Sequence, residues 1–426
     1  MSQTETTQAV GGDAETSIFR IRPFQLMFFT RLASMMSNQM LAVVVGWQVL
    51  ALTDSPVALG LIGLVQLMPA LFFALFAGEV ADRYDRRLVL RWVYVVQTSV
   101  VVGFLLVSLM DEPHVGLLYA LLFVNALSRT FESPALQSLL PSLVPPYLLS
   151  RAIAAYASSA RTASLLGPSI GGAIYAFGVA TDYICCLVLI SIAATVSFML
   201  PPPPAVPAMR RSKVTWQTMS AGVSLIWSSP LLFSVISLDL LATIFGGLTA
   251  LLPIFARDIL EIGPWGLGIL RSAPAAGALV MALVLSQVPV TRSCGWVILG
   301  GAAVYGASSI LFGVSTNTIF SLAMLLLFGA SDAISAVNRK TLMQTTTPNE
   351  LLGRVSAVST FSNTMGNQLG QLESGLTAAV FGTVGSVLFG GVSVLLIVAV
   401  WAWRYPQLRS LERPDAVEAF APRPAA

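Results

Sequence analysis

Apolar residues run along this chain in blocks of twenty or so, separated by short turns bearing Gly, Pro, Asp or Asn. A block of about 20 apolar residues is long enough to cross a bilayer as a helix. Taken with the turn signals, the blocks predict twelve helices, over 24–52, 57–81, 88–109, 115–138, 150–178, 183–200, 230–256, 264–288, 296–313, 317–338, 354–380 and 384–403. The connectors at 52–57, 110–114, 314–317 and 381–384 are so short that the helices they join must run antiparallel. The predicted fold class is an all-α polytopic membrane protein.

Composition agrees with that pattern. Hydrophobic residues make up 56% of the chain and charged ones 10%, with a mean hydropathy of +0.80. Soluble domains carry about 45–50% apolar and about 25% charged residues, so most of this surface must face lipid. Residues 1–17 are polar and the first apolar run lacks a small-residue cleavage site, so it is expected to be a retained span. Cys185 and Cys186 are adjacent and Cys294 stands apart, which is neither a disulfide framework nor a metal spacing. The single histidine, His114, sits with Asp111 and Glu112 in a polar turn and reads as solvated. There is no G-x-x-x-x-G-K-[ST] phosphate loop, and the only lysines are Lys213 and Lys340. No enzyme activity, cofactor, metal or nucleic-acid partner is expected.

The placement of charge sets an orientation. Of 23 Lys and Arg, eighteen lie at the two termini and in the segments after the even-numbered helices, 82–91, around 151, 210–213, 292 and 339–354 among them. The opposite side carries one, Arg257, beside Asp258 and Glu261. Cations stay on the cytoplasmic side, so both termini are expected there. The chain also repeats itself. "GLVQLMPA" (63–70) matches "GILRSAPA" (268–275), "PPYLLSR" (145–151) matches "PNELLGR" (348–354), and "GPSIGG" (167–172) falls on "GQLESG" (370–375), at offsets of 203 to 205. Two parallel six-helix halves follow, over 24–200 and 230–403, joined by a linker at 201–229 and flanked by tails at 1–23 and 404–426. Parallel repeats of this kind belong to transporters that rock two halves about a central site.

The turn "GEVADRYDRR" (78–87) packs six charges into ten positions. It resembles motif A of the major facilitator superfamily, G-x-x-x-D-R-x-G-R-R, through Gly78, Asp82, Arg83, Arg86 and Arg87; Asp85 stands where the motif has its second glycine, so a tight turn is not assumed. "SLLGPSIGGAI" is similar to that superfamily's antiporter signature, motif C, through Gly167, Pro168, Gly171 and Gly172. "ALTDSPVALGLIGLVQ", "SLLPSLVP" and "LLPIFARDILEIGPWGLGILRSAPAAGAL" look like the branch that holds enterobactin exporters and macrolide efflux pumps. The resemblance implies the major facilitator fold and export by antiport. It also implies a conformational latch, in which Asp82 faces the N-terminus of the eleventh helix near Gly353, where the helix dipole favours an anion. The other reading of the turn is a basic loop that only sets topology, and the other reading of motif C is plain tight packing of small residues.

Ionisable groups inside spans are costly, and are functional or paired. Arg31, Glu79, Arg129, Glu132, Arg161, Asp239, Arg271, Asp332 and Glu373 fall there. Arg129 and Glu132 are three apart and are expected to pair, which would make them a structural tie or part of the site. Arg31 and Glu79 can snorkel to the surface. Asp239, roughly 14 Å into its helix at 1.5 Å per residue, has no local partner. It is the first candidate for a proton carrier, with Glu132 second, unless a cation from another helix such as Arg31 pairs with it. Arg161 and Arg271 serve an anionic substrate or neutralise Asp332 and Glu373. Asn38, Gln39, Gln66, Gln368 and Gln371 would add hydrogen bonds in a cavity. Glu373 stands where the twin helix has Ile170, and Gln371 where it has Pro168, so this stretch is expected to border the cavity, with Glu373 touching substrate or Arg271, or else lying exposed at the external mouth.

The expected function is therefore a monomeric, proton-driven exporter of a siderophore or amphipathic drug in the bacterial inner membrane. Its partners would be the small-molecule substrate, protons and the bilayer. An uptake permease of the same fold, or a non-transporting membrane protein, are the alternatives.

Overall fold

The computed structural model describes residues 17–201, 223–288 and 293–411. Most of the expected tails and of the linker lies outside them. All the regular structure among the described residues is helical: α1 (Arg22–Thr53), α2 (Pro56–Arg83), α3 (Arg86–Ser108), α4 (Val115–Leu143), α5 (Leu149–Tyr175), α6 (Val179–Phe198), α7 (Pro230–Phe245), α8 (Gly263–Gln287), α9 (Cys294–Gly313) and α10 (Thr318–Thr346). A last helical segment, Asn349–Arg404, is broken at Gly382 into α11 (349–381) and α12 (383–404). Gly382 has φ 76° and ψ 166°, a region that only glycine adopts at low cost, so the chain reverses there in a single residue. Ten described segments are long and apolar enough to cross a membrane. The more polar α5 is not one of them, and α11 and α12 count together.

Local chemistry sets the helix starts. Pro56 and Pro230 occupy first-turn positions, where the missing N–H costs nothing. Asn317 caps α10 by accepting from the Ile319 and Phe320 main-chain N–H groups at 3.0 and 3.1 Å. Two predicted ends fall short of the structure. α4 continues through Pro134 and Pro141 to Leu143, and α10 continues through the polar run "NRKTLMQTT" to Thr346. Hydropathy ends a helix where charge begins, whereas backbone hydrogen bonding does not.

Helices α1–α6 pack among themselves, with α1 against α5 and α6, and α4 against α2 and α3. Helices α7–α12 repeat the scheme, with α8 and α9 against α10, and α7 and α9 against the α11–α12 segment. The two groups meet mainly along two helix pairs, α2 with α11 and α5 with α8. At both crossings glycine lets backbones touch. A Cβ on Gly375 would lie 2.7 Å from the Gly60 Cα, and one on Gly172 would lie 2.9 Å from the Gly268 Cα. Gly172 and Gly375 are repeat twins, as are Gly167, which faces Gln39 of α1, and Gly370, which faces Thr243 and Ile244 of α7. These crossings lie toward the end that carries the α1–α2 turn. Toward the other end, nothing lies within 4 Å of a Cβ built on Gly78 or on Gly353.

Candidate functional site

Between the two groups of helices lies a cavity of about 400 Å³. Its walls carry six amides: Asn38 and Gln39 from α1, Gln66 from α2, Asn125 from α4, and Asn367 and Gln371 from α11. Two cations join them, Arg129 of α4 and Arg271 of α8, together with Pro168 of motif C. No Asp or Glu is among the described residues of this wall. Asn125 donates to Asn38 Oδ1 at 3.0 Å, and Asn38 donates to the Ser34 carbonyl at 2.9 Å, which orients both amides. Neither arginine has an ion pair or a side-chain hydrogen bond among the described residues. The Arg271 guanidinium lies 3.7 Å from a Cβ built on Gly46, an ordinary contact distance.

The wall owes part of its shape to a broken helix. α7 stops at Phe245, and the chain proceeds through Gly246 and Gly247 into a 3-10 turn (Leu248–Ala250) and a π turn (Phe255–Ile259). Irregular turns of this kind are tolerated at membrane depth where they are enclosed by protein or line a cavity, and Thr249 and Ala250 do line it. Thr249 and Asn367 also belong to an adjoining space of about 250 Å³, which is lined by Arg161, Asn363 and Asp332. Arg161 and Asp332 therefore face one compartment without forming an ion pair.

The buried acids are held differently from the expected arrangement. Glu132 does not pair with Arg129. Its Oε1 accepts from Ser34 Oγ and Tyr94 OH, both at 3.0 Å, and its Oε2 accepts from Gln97 Nε2 at 3.0 Å. At 100° per residue, positions three apart point 60° apart, enough for Arg129 to face the cavity while Glu132 turns to α1 and α3. Asp239 is not alone. Arg339 of α10 forms a buried ion pair with Asp239 Oδ1, and Asn363 donates to Oδ2 at 3.4 Å. Arg339, expected in a cytoplasmic segment, is 8% exposed inside the extended α10. Asp332 shares a small pocket with that pair. Arg31 donates to Ser159 Oγ at 3.0 Å and stacks on the Tyr156 ring at 3.4 Å, so α5 holds it.

Glu373 makes no ion pair with Arg271 and is absent from the cavity wall. Its Oε1 is buried without a partner, and Oε2 accepts from Ser374 Oγ at 3.4 Å. Its neighbour Gln371 does reach the cavity, one helical step away. Gln368 lies behind it, donating to Gln66 at 3.5 Å. Asn125, Thr249, Asn367 and Arg339 were not singled out by the sequence, and neither was Asp182, which is fully buried with Oδ2 unpartnered and Oδ1 3.8 Å from Cys186 Sγ. An acid at a helix start is common enough to pass unnoticed.

At the charged turn, Glu79 pairs with Arg83 at 2.7 Å. Asp85 adopts φ −59°, ψ 114° and caps α3, accepting from the Arg87 main chain at 2.9 Å and its guanidinium at 2.8 Å. Burial alone would raise the Asp85 pKa, but those hydrogen bonds and the charges of Arg87 and Arg91 outweigh it and hold the carboxyl below its ordinary value. The aspartate thus fits where the motif has glycine. Arg86 Nε is buried without a partner. The side chain of Asp82 lies outside the described residues.

The model of the Major Facilitator Superfamily matches residues 27–371. The enterobactin exporter EntS of Citrobacter koseri is 27% identical, over 95% of this chain and 97% of its own length. EntS of Escherichia coli is 28% identical over 89% and 91%. Among solved structures, a bacterial homolog of the human lysosomal transporter Spinster, inward-facing and unoccupied, superposes with a TM-score of 0.73 at 12% identity, covering 93% of this chain and 99% of its own. The nucleoside transporter NupG does so at 0.69 and 13% identity, over 91% and 99%.

Proposed function

Because this chain belongs to the Major Facilitator Superfamily, we propose that it exports a small molecule of the siderophore class across the bacterial inner membrane by proton antiport and alternating access. The observation that carries this reading is a polar cavity between two helix groups that touch backbone to backbone at glycines toward one end, while Gly78 and Gly353 toward the other meet nothing within 4 Å. A rocking motion that exchanged the two ends would carry a bound molecule across. The siderophore class follows from the two relatives named as enterobactin exporters.

In this reading the chain crosses the membrane twelve times as a monomer, with both termini in the cytoplasm, because the basic residues gather at that end. The closed end then faces outward. Motif A acts when the inner end shuts: Asp82 meets the start of α11, with Gly78, Arg83, Arg86 and Arg87 around it. In motif C, Gly167, Pro168, Gly171 and Gly172 form the small-residue face on which α5 moves against α1 and α8. The proton resides on the Asp239–Asp332 cluster. Two carboxylates share one pocket with the single guanidinium of Arg339, which balances one negative charge and leaves the second free to take up a proton. Arg161 faces Asp332 across the adjoining compartment.

The test is transport itself. Cells stripped of their own enterobactin exporter and given this chain should release enterobactin, and everted vesicles should accumulate it only while a proton gradient is maintained. Release equal to that of empty-vector cells overturns the siderophore assignment. Accumulation that survives an uncoupler overturns proton antiport, and uptake into intact cells reverses the direction.

A further inference from the structure

We infer that the central cavity is built for a small organic anion with at least two acidic groups, one held by Arg129 of the first half and the other by Arg271 of the second. The inference rests on the transport reading above but not on its siderophore assignment.

Three observations converge. Both guanidiniums open onto one cavity from opposite halves, and neither has an acidic partner among the described residues. Arg271 is partly withdrawn from bulk water and needs a counter-charge to offset its desolvation, Arg129 is exposed to the cavity, and no carboxylate is among the described residues of that wall. A bound anion supplies the missing charge. The internal repeat strengthens the point. Arg271 stands 205 residues after Gln66, its twin in α2, and both line the cavity. The surrounding helix contacts, Gly268 on Pro168 and Gly63 on Gln368, are alike in the two halves. Packing therefore accounts for a neutral amide at this position, and the positive charge on one side needs another reason.

The donor set narrows the ligand further. A guanidinium fork matches a carboxylate with two parallel hydrogen bonds. The six amides offer both donors and acceptors, which suits hydroxyl or amide groups between the acids. An amphipathic cation would find two like charges and no acid. A dianion touching both arginines ties the halves together, whereas a monoanion engages one wall only.

The purified full-length protein in nanodiscs, at pH 7 and low salt, is titrated with phthalate, its monomethyl ester, its dimethyl ester, citrate, and the cation tetraphenylphosphonium, with thermal stabilisation as the readout. Phthalate or citrate should bind about tenfold or more tighter than the monoester, the diester and the cation should not bind, and added salt should weaken the dianions. Arg129→Gln and Arg271→Gln should each lower dianion affinity by about tenfold and remove the preference over the monoester, while Arg271→Lys keeps part of it. Should a glutamine variant fail to fold, the charge series on the unmodified protein decides alone. Equal binding along the series, binding of the cation, no binding by either dianion, or variants that bind like the parent would each overturn the inference. Absence of enterobactin export with the dianion preference intact would remove the siderophore assignment and leave this inference standing.

Discussion

Among the described residues, the polar contacts between the halves lie toward the end that carries the α1–α2 turn, whereas those that hold buried carboxylates lie within each half. Toward the end that carries the α1–α2 turn, Ser169 donates to Ser272 at 2.8 Å, Gln368 to Gln66 at 3.5 Å, and Arg257 pairs with Asp54, each bond crossing from one helix group to the other. Deeper and toward the other end, the strongest bonds stay at home. Glu132 gathers α1, α3 and α4, while Asp239 gathers α10 and α11 onto α7. Each half is thus stiffened internally at the level where it is free of its partner. The difference teaches what can move. The seam contacts are glycine-to-backbone contacts, neutral hydrogen bonds worth roughly 1 kcal/mol each and one exposed ion pair worth about 0–1 kcal/mol, whereas the internal ties involve buried charge.

The largest effect should come from disturbing an internal tie. Arg339→Gln leaves Asp239 buried without its cation, a change that costs about 3–5 kcal/mol, and its unfolding temperature in detergent should fall well below that of the parent. The double variant Asp239→Asn/Arg339→Gln should recover most of the loss. Glu132→Gln should cost less, about 1–3 kcal/mol, because its three partners are neutral and the amide keeps the shape. Equal losses for Arg339→Gln and Glu132→Gln would mean that the C-terminal pair carries no special share of the stiffness.

Next comes the seam itself. A Cβ on Gly63 would lie 2.5 Å from the Gln368 carbonyl oxygen, so Gly63→Leu should wedge α2 from α11. Overpacking of this kind costs about 1–3 kcal/mol, which shifts the balance of the two states by roughly one to two orders of magnitude. A cysteine at Leu59, 2% exposed in the closed end of α2, should then react faster with an impermeant maleimide added outside, in a background lacking Cys185, Cys186 and Cys294. Gly78→Leu meets nothing within 4 Å in this state and should not raise that rate. A faster Leu59→Cys reaction in both backgrounds would erase the distinction between the two ends.

How much of this was legible beforehand follows from the same contrast. Hydropathy and turn chemistry located the helices, and the repeat offsets indicated two halves; the matched glycines Gly63, Gly268, Gly172 and Gly375 prove to stand where the halves cross. Those signals are local or periodic. The ties inside each half were not legible: Glu132 takes its partners from 35, 38 and 98 residues away and Asp239 takes Arg339 from 100 away. Spacing on one helix suggested Arg129 for Glu132, and three-dimensional packing chose otherwise. Arg339 was hidden for a second reason, because the charged run that ends a hydropathy window is still helix. The amides on the cavity wall were half legible: Asn38, Gln39, Gln66 and Gln371 stand out as polar residues in apolar runs, whereas Asn125 and Asn367 drew no notice without the fold.

The smallest effect should lie at the outer rim, where Arg257 bridges to Asp54. Asp54 ends α1 in the left-handed conformation, φ 49°, and its side chain is 78% exposed. An exposed pair of this kind contributes about 0–1 kcal/mol, at most about fivefold in the balance between states. Asn tolerates the same backbone conformation, so Asp54→Asn removes the charge without straining the turn. It should raise the outward labelling of Leu59→Cys by no more than a few-fold, and the increase should shrink in high salt as the parent's own pair is screened. Asp258 also pairs with Arg257, at 2.6 Å, but it belongs to the same π turn and ties nothing across the seam. Asp258→Asn should therefore leave the labelling rate where it is. If Asp258→Asn opens the rim as much as Asp54→Asn does, the ion pair supports the local fold of the π turn and takes no part in holding the halves together.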